Sequence, residues 1–181
     1  METTYANVHR GVYQTAAEAT DRYEGARRTV ARFLGVPERE VVFTKNVTEG
    51  LNLVAKTWGK ANLGAGDAVV LTQMEHHANI VPWLMLAEES GVELRWLGVT
   101  DEGQLDVSDL DRLLYGAKLL SVTAMSNVLG TLTPLRRLAD AYGIEIADLD
   151  IPGIESTFAE HLRASFAERG PDTSAYTRRN T

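Results

Sequence analysis

The fold is decided by one stretch, Val69-Val70-Leu71-Thr72-Gln73-Met74-Glu75-His76-His77-Ala78-Asn79-Ile80-Val81-Pro82-Trp83. The apolar run from Val69 to Leu71 predicts a buried strand. A polar cluster follows at once and contains a carboxylate, two imidazoles and an amide. Pro82 suits the first turn of a helix, where its missing N–H is not needed. The polar cluster therefore lies between a strand and a helix, which is where open α/β sheets bind ligands.

Strands alternate with helices from residue 41 to about residue 148, and this alternation predicts parallel βαβ units. We expect an α/β fold with three layers and a mostly parallel sheet. The predicted strands lie near residues 41–44, 69–73, 94–98, 118–123 and 144–147. The predicted helices are 10–35, 48–58, 80–90, 109–114 and 134–142. Two further polar segments, 44–50 and 126–131, occupy the same kind of strand–helix junction, so we expect one shared crevice.

Local signals set the predicted helix ends. Gly35, Gly91 and Gly143 each follow a helical pattern and are expected to end it. Thr48 is a candidate N-cap for the second helix. Ser108 and the aspartate three residues later resemble a capping box.

Composition narrows the function classes. The chain has 181 residues, 44% hydrophobic and 24% charged, which fits one soluble domain with a real core. A net charge of -7 argues against nucleic-acid binding. No apolar run approaches the ~18 residues of a membrane helix, and the N-terminus has no signal-peptide pattern. We therefore expect no membrane association and a cytoplasmic location.

Neither a disulfide nor a metal site is expected. The chain contains no cysteine, which excludes disulfides, thiolate metal sites and a cysteine nucleophile within it. The adjacent His76 and His77 do not face the same way on a helix, and no third ligand is obvious.

Four segments in order and at the right spacing carry a family resemblance: Asn7-Val8-His9-Arg10-Gly11, the run from Phe43-Thr44 through Thr48-Glu49-Gly50-Leu51-Asn52-Leu53-Val54-Ala55, Glu75-His76-His77-Ala78-Asn79-Ile80-Val81-Pro82-Trp83 and Ser126-Asn127-Val128-Leu129-Gly130-Thr131. Over residues 5–146 the chain resembles cysteine desulfurases of the SufS type. These are class V aminotransferases that use pyridoxal 5′-phosphate (PLP) and have the type I fold. The resemblance implies part of the PLP enzyme's large domain over residues 1–146. Residues 147–181 look like a divergent tail, with a helix over 156–169 and then disorder.

The resemblance assigns roles to three residues. His76 matches the histidine that stacks on the PLP ring, and an imidazole there can relay protons, so it is the candidate catalytic residue; the alternative is a surface or helix-capping histidine. Thr48 matches a threonine that holds the PLP phosphate, and a helix N-terminus suits an anion. Asn127 matches the asparagine that hydrogen-bonds the phenolic oxygen of PLP, and the alternative is a plain turn residue. Lys45 and Glu49 match positions near the subunit interface, or are simply solvated charges.

The chain also departs from the family. Asn46-Val47 replaces Gly-Thr in the phosphate loop, and Ala124 replaces a histidine. The family's Asp-Gly-Ala-Gln, whose aspartate pairs with the PLP ring nitrogen, is replaced by 147–153, where Asp148 and Asp150 lie out of alignment. The Ser-Gly-His-Lys segment that carries PLP is absent, and no lysine follows Lys118. We therefore expect a chain truncated at both ends relative to the family.

Three functions follow from these patterns. The first is a fragment of a desulfurase that mobilises sulfur from L-cysteine for iron–sulfur cluster assembly, without turnover by itself and without covalent attachment of PLP. The second is a non-catalytic module that binds PLP weakly, forms a homodimer or pairs with a full-length paralogue. The third is a residual reaction of free PLP with an amino acid.

Overall fold

A computed structural model of the chain describes residues 6–9 and 11–143. Its centre is a three-stranded parallel sheet with the order β2-β1-β3. The strands are β1 (Ala68–Thr72), β2 (Glu93–Leu97) and β3 (Ala117–Leu120). Every residue of β1 is buried, as expected for a central strand covered on both faces.

Helices precede and follow these strands. They are α1 (Gln14–Leu34), α2 (Val47–Val54), α3 (Lys60–Asn62), α4 (Val81–Ser90), α5 (Leu110–Leu114) and α6 (Leu135–Tyr142). A π-helical segment, Ala55–Gly59, joins α2 to α3, and a 3₁₀ turn, His77–Asn79, precedes α4. Gly59 lets this joint approach α4 closely: a Cβ there would lie 3.0 Å from Leu86 Cδ2 and 3.3 Å from Trp83 Cζ3.

Successive residues of β1 serve two separate cores, because side chains alternate across a strand. Val69 and Leu71 pack with Trp83 and Leu86 in one cluster. Val70 packs with residues of β2, α5 and α6 in the other. The sheet therefore lies between helices on both faces, which confirms the predicted α/β class, its three layers and its parallel strands.

The predicted strand at 41–44 is wrong. These residues are extended but pair with no strand in the part of the chain that the structure describes. Only Val41 is buried, and Val42 is 65% exposed. Phe43 packs on α1 instead, with its ring 5.1 Å from that of Tyr23, while Arg27 donates a hydrogen bond to the Val41 carbonyl. A β-branched composition predicted the extended backbone but could not supply a neighbouring strand.

The three glycine stops are confirmed: Gly35, Gly91 and Gly143 follow α1, α4 and α6 with φ of 69°, 74° and 82°. In this left-handed region glycine has no Cβ penalty.

Two predicted caps are wrong. Asn46, not Thr48, is the N-cap of α2, because its side chain accepts a hydrogen bond from the Glu49 amide at 2.9 Å. The Ser108 capping box does not form; the Ser108 amide donates to Asp106 instead, at 2.9 Å.

The predicted strand at 144–147 and the tail at 147–181, with its expected helix, lie outside the described residues. Within the described ranges, no helix is both long and apolar enough to cross a bilayer.

The central strand generates a stability prediction. Leu71 is fully buried between Trp83 and the other residues of its cluster. We expect Leu71→Ala to lower the free energy of unfolding by about 2–5 kcal/mol, because it removes apolar contact and leaves a cavity. Leu84→Ala, at a side chain that is 42% exposed on α4, is the matched control and should cost much less. Urea unfolding followed by circular dichroism measures both; equal losses would contradict the assignment of β1 as the core strand.

A second prediction concerns acid stability. The Lys118 ammonium, 2.9 Å from the Asp67 carboxylate, and then the Gly64 amide hold the pKa of that carboxyl below its usual range. A lowered folded-state pKa means that the ionised carboxylate stabilises the fold above the unfolded pKa of about 3.9. This stabilisation is lost as the pH falls through the folded pKa.

We therefore expect the stability difference between the parent and Asp67→Asn to be largest near neutral pH and to shrink below about pH 4. Urea unfolding at several pH values measures it. Asp21→Asn, at an exposed position on α1, removes the same charge and should leave the slope of the acid limb unchanged. A pH-independent difference for Asp67→Asn would show that the ion pair is not responsible.

Candidate functional site

A cavity of about 480 Å³ opens at the carboxyl ends of β1 and β3. Three segments line it: the start of α2, the loop that follows β1 and the segment that follows β3. Its lining residues are Asn46, Val47, Thr48, Leu51, Glu75, His76, Ala78, Asn79, Ser121, Val122 and Thr123. Thr48 and His76, two of the three residues predicted for a cofactor, thus share one cavity although 28 positions separate them in the chain.

The start of α2 forms one wall of the cavity and is set by reciprocal capping. The Asn46 side chain accepts from the Glu49 amide at 2.9 Å, and the Glu49 carboxylate accepts from the Lys45 amide at 2.6 Å. Thr48 is the second residue of the helix. The first amides of an α-helix have no partner within the helix and attract anions. This wall can therefore receive a phosphate group at Val47 and Thr48.

His76 lies between β1 and α4, where it caps a 3₁₀ turn and also lines the cavity. Its Nδ1 accepts a hydrogen bond from the Ala78 amide at 3.1 Å, so it caps the 3₁₀ turn, as the capping alternative predicted. Because Nδ1 is an acceptor, the proton of the neutral ring is on Nε2. The ring is exposed and lines the cavity, so capping does not prevent contact with a ligand. The His77 ring stands nearly perpendicular to it, with centroids 6.3 Å apart.

Glu75 is a buried carboxylate in the same loop, and sequence reasoning did not assign it a role. Its Oε1 accepts from the Thr72 hydroxyl at 2.7 Å and from the Thr123 amide at 2.7 Å. Its Oε2 accepts from Asn79 Nδ2 at 2.8 Å. Only 8% of the residue is exposed, so these three bonds replace the water that the charge loses. The available signal was a carboxylate three residues after the end of a buried, mostly apolar strand.

Asn79 extends this network into α4 and towards β3. Its Oδ1 accepts from Trp83 Nε1 at 3.1 Å and from the Ser121 hydroxyl at 2.6 Å. Four segments of the chain therefore meet through Glu75 and Asn79. No buried side-chain polar atom in the described residues lacks a partner, so the network is fully satisfied.

Asn127 is not among the residues that line this cavity. It lies exposed on a turn organised by Ser126, whose hydroxyl accepts from the Val128 and Leu129 amides at 3.3 and 3.1 Å. Gly130 closes the turn with a φ of 72°. The turn alternative therefore describes its local setting, and its contact with a cofactor stays a prediction. Ala124, at the position of the family's histidine, is exposed.

Comparison with known proteins places this chain in a family. Residues 1–144 match the family model described as aminotransferase class V. A cysteine desulfurase of Enterobacter sp. is 50% identical over 136 residues, which cover 74% of this chain and 34% of that protein. A probable cysteine desulfurase of Streptomyces coelicolor is 49% identical over 139 residues, covering 74% and 33%. The chain thus spans about a third of the length of these relatives.

Solved structures similar to this chain are also cysteine desulfurases. The apo cysteine desulfurase of Thermococcus onnurineus NA1 superimposes with a TM-score of 0.70 and 41% identity, over 77% of this chain and 35% of that one. The cysteine desulfurase CsdA of Escherichia coli gives a TM-score of 0.62 and 36% identity, over 77% and 36%. The predicted type I fold is therefore confirmed, whereas the SufS subtype stays a prediction. The chain belongs to the class V aminotransferase family, and over this region its relatives are cysteine desulfurases.

Proposed function

We propose that this chain is the part of a PLP-dependent cysteine desulfurase that holds the phosphate and one face of the cofactor ring. The observation that carries the proposal is the shared cavity, in which Thr48 at the start of α2 and the His76 ring line the same space. On this proposal the whole enzyme takes sulfur from L-cysteine and supplies iron–sulfur cluster assembly in the cytoplasm, as in SufS-type proteins.

The residues present fit the cofactor. The amides of Val47 and Thr48 and the Thr48 hydroxyl would bind the phosphate, and the His76 ring would lie on the face of the pyridine ring with Nε2 free to carry a proton. Asn127 would bind the phenolic oxygen if its turn closes on the site. When bound, PLP supplies an electron sink for chemistry at the amino acid. Val47 stands where the family has threonine, so the start of α2 lacks one hydroxyl that could bind the phosphate. Non-covalent binding of PLP should therefore be weak.

Turnover requires groups that these 181 residues do not supply. A desulfurase needs a thiolate to take the sulfur and a lysine to carry PLP. The sequence has no cysteine, and its lysines are Lys45, Lys56, Lys60 and Lys118. Lys118 pairs with Asp67 at the amino ends of β3 and β1, whereas the cavity lies at the carboxyl ends of these strands. Lys60 pairs with Glu89 at 3.3 Å. We therefore propose that the chain alone has no desulfurase activity.

The alternative is a non-catalytic module that pairs with a second copy or with a full-length paralogue. The observation in its favour is exposed apolar surface, which marks contact regions when it is contiguous. Leu53, Trp58, Leu84 and Met85 are 43%, 42%, 42% and 45% exposed on the helices that cover one face of the sheet. Co-elution with a full-length desulfurase favours pairing, and separate elution favours the fragment.

The start of α2 gives the first functional prediction. We expect Thr48→Ala to weaken non-covalent PLP binding about tenfold, because a hydrogen bond to a charged group is lost. Thr48→Ser, which keeps the hydroxyl, should bind like the parent. Thr57→Ala, on the π-helical segment outside the cavity lining, controls for loss of a helical threonine. An absorbance titration with PLP measures all three; parental affinity in Thr48→Ala would refute the phosphate assignment.

The positions of the lysines give the second functional prediction. With PLP and L-cysteine, we expect the purified chain to release no sulfide or alanine. After borohydride reduction, mass spectrometry should find no stoichiometric PLP adduct on a single lysine. The lysine nearest the cavity in sequence, Lys45, would have to leave the start of α2 to carry the cofactor. A single modified lysine together with cysteine-dependent sulfide release would show that these residues suffice for turnover.

A further inference from the structure

The residue next to the candidate catalytic histidine, Glu75, is a buried carboxylate bonded to three separate segments of the chain. Glu75 accepts three hydrogen bonds, all from neutral donors: the Thr72 hydroxyl, the Thr123 amide and the Asn79 amide. Neutral donors have fixed directions and compensate a buried charge only when each is in place. The position of Glu75, and with it that of the neighbouring His76 backbone, is therefore tightly specified.

The three donors belong to different segments of the chain. Thr72 ends β1, Asn79 enters α4, and Thr123 follows β3. Asn79 and Thr123 themselves line the cavity. The Glu75 carboxylate thus joins the His76 loop to the segment after β3, across 48 positions of the chain. A sheet register alone does not do this, because the pairing of β1 with β3 stops at Val70 and Leu120.

We propose that Glu75 is a positioning residue for the cofactor site: its carboxylate holds His76 and the Ser121–Thr123 wall at a fixed separation. The part of the inference that concerns PLP rests on the proposed function; the part that concerns the wall does not. Glu75 does not act on the cofactor directly. It keeps the His76 ring over the space that the start of α2 and the Thr123 wall enclose.

The sharpest variant is Glu75→Gln. Whichever way the new amide is turned, its NH₂ faces either the Thr123 amide or Asn79 Nδ2, so a donor faces a donor. Turning the Asn79 amide to relieve this places its NH₂ against Trp83 Nε1–H instead. We expect Thr123 amide exchange to rise and PLP affinity to fall, each about tenfold. Glu88→Gln, an exposed glutamate on α4, makes the same change of charge and should leave both values as in the parent.

A pair of variants at Thr72 separates positioning from packing, and it applies even if Glu75→Gln does not fold. Thr72→Val keeps the shape but removes the hydroxyl that donates to Glu75. Thr72→Ser keeps the hydroxyl but removes a methyl group from a fully buried position. A positioning role requires Thr72→Val to accelerate Thr123 amide exchange and weaken PLP binding, while Thr72→Ser remains within about twofold of the parent. A packing role gives the reverse order.

Hydrogen exchange by nuclear magnetic resonance on the chain without PLP, followed by a PLP titration, decides the question. Slow exchange at Thr123 in the parent, fast exchange in Thr72→Val and recovery in Thr72→Ser support the proposal. Parental exchange in both Thr72→Val and Glu75→Gln, or an equal loss in both Thr72 variants, overturns it. If the parent binds no PLP but the exchange pattern holds, the proposed function fails while the role of Glu75 in the wall stands.

Discussion

The site depends on one buried negative charge. A carboxylate that leaves water must have its lost hydrogen bonds replaced, and Glu75 obtains three from β1, the entry to α4 and the segment after β3. These segments are also joined by the hydrogen bond from the Ser121 hydroxyl to Asn79, by the sheet and by apolar contacts, and apolar contacts tolerate small shifts. The charge does not tolerate them, because losing one donor leaves it partly unsatisfied in a place that water does not reach. On the proposed positioning role, these bonds hold the cavity wall in place although it is built from loop segments.

The start of α2 shows how a departure from the family can serve the local fold. Asn46 stands where the family has glycine, yet its φ of -168° is extended backbone that any residue adopts. No glycine freedom is needed there. The asparagine instead provides the N-cap, and the Glu49 carboxylate accepts a hydrogen bond from the Lys45 amide. The Asn46 side chain accepts the hydrogen bond of the third amide of the helix, that of Glu49. The amides of Val47 and Thr48 are the ones left to donate to a phosphate on the proposed function. On the proposed function, helix capping and phosphate binding would therefore use neighbouring amides of the same turn.

The sequence predicted the sheet and its order of elements well, because the relevant signals are strong. A fully apolar run at Val69–Leu71, glycines after each long helix and Pro134 before α6 all act locally. The strand at 41–44 failed because a β-rich composition does not guarantee a neighbour to pair with. The capping role of Thr48 failed because Asn46, two residues earlier, is the better acceptor. Glu75 was visible as a carboxylate, but its three donors are separated in sequence and meet only in the folded chain.

The polar groups at the amino ends of the strands stabilise the fold, whereas those at the carboxyl ends line the candidate site. At the amino ends, Asp67 fixes the turn before β1 and pairs with Lys118 at the start of β3. At the carboxyl ends lie the Glu75 network, His76 and the start of α2. Parallel strands bring all carboxyl ends to one side, so polar groups that follow β1 and β3 converge although the chain separates them. Lys118 in β3 therefore lies at the end of the strands opposite the cavity, which on the proposed function leaves it unable to carry the cofactor.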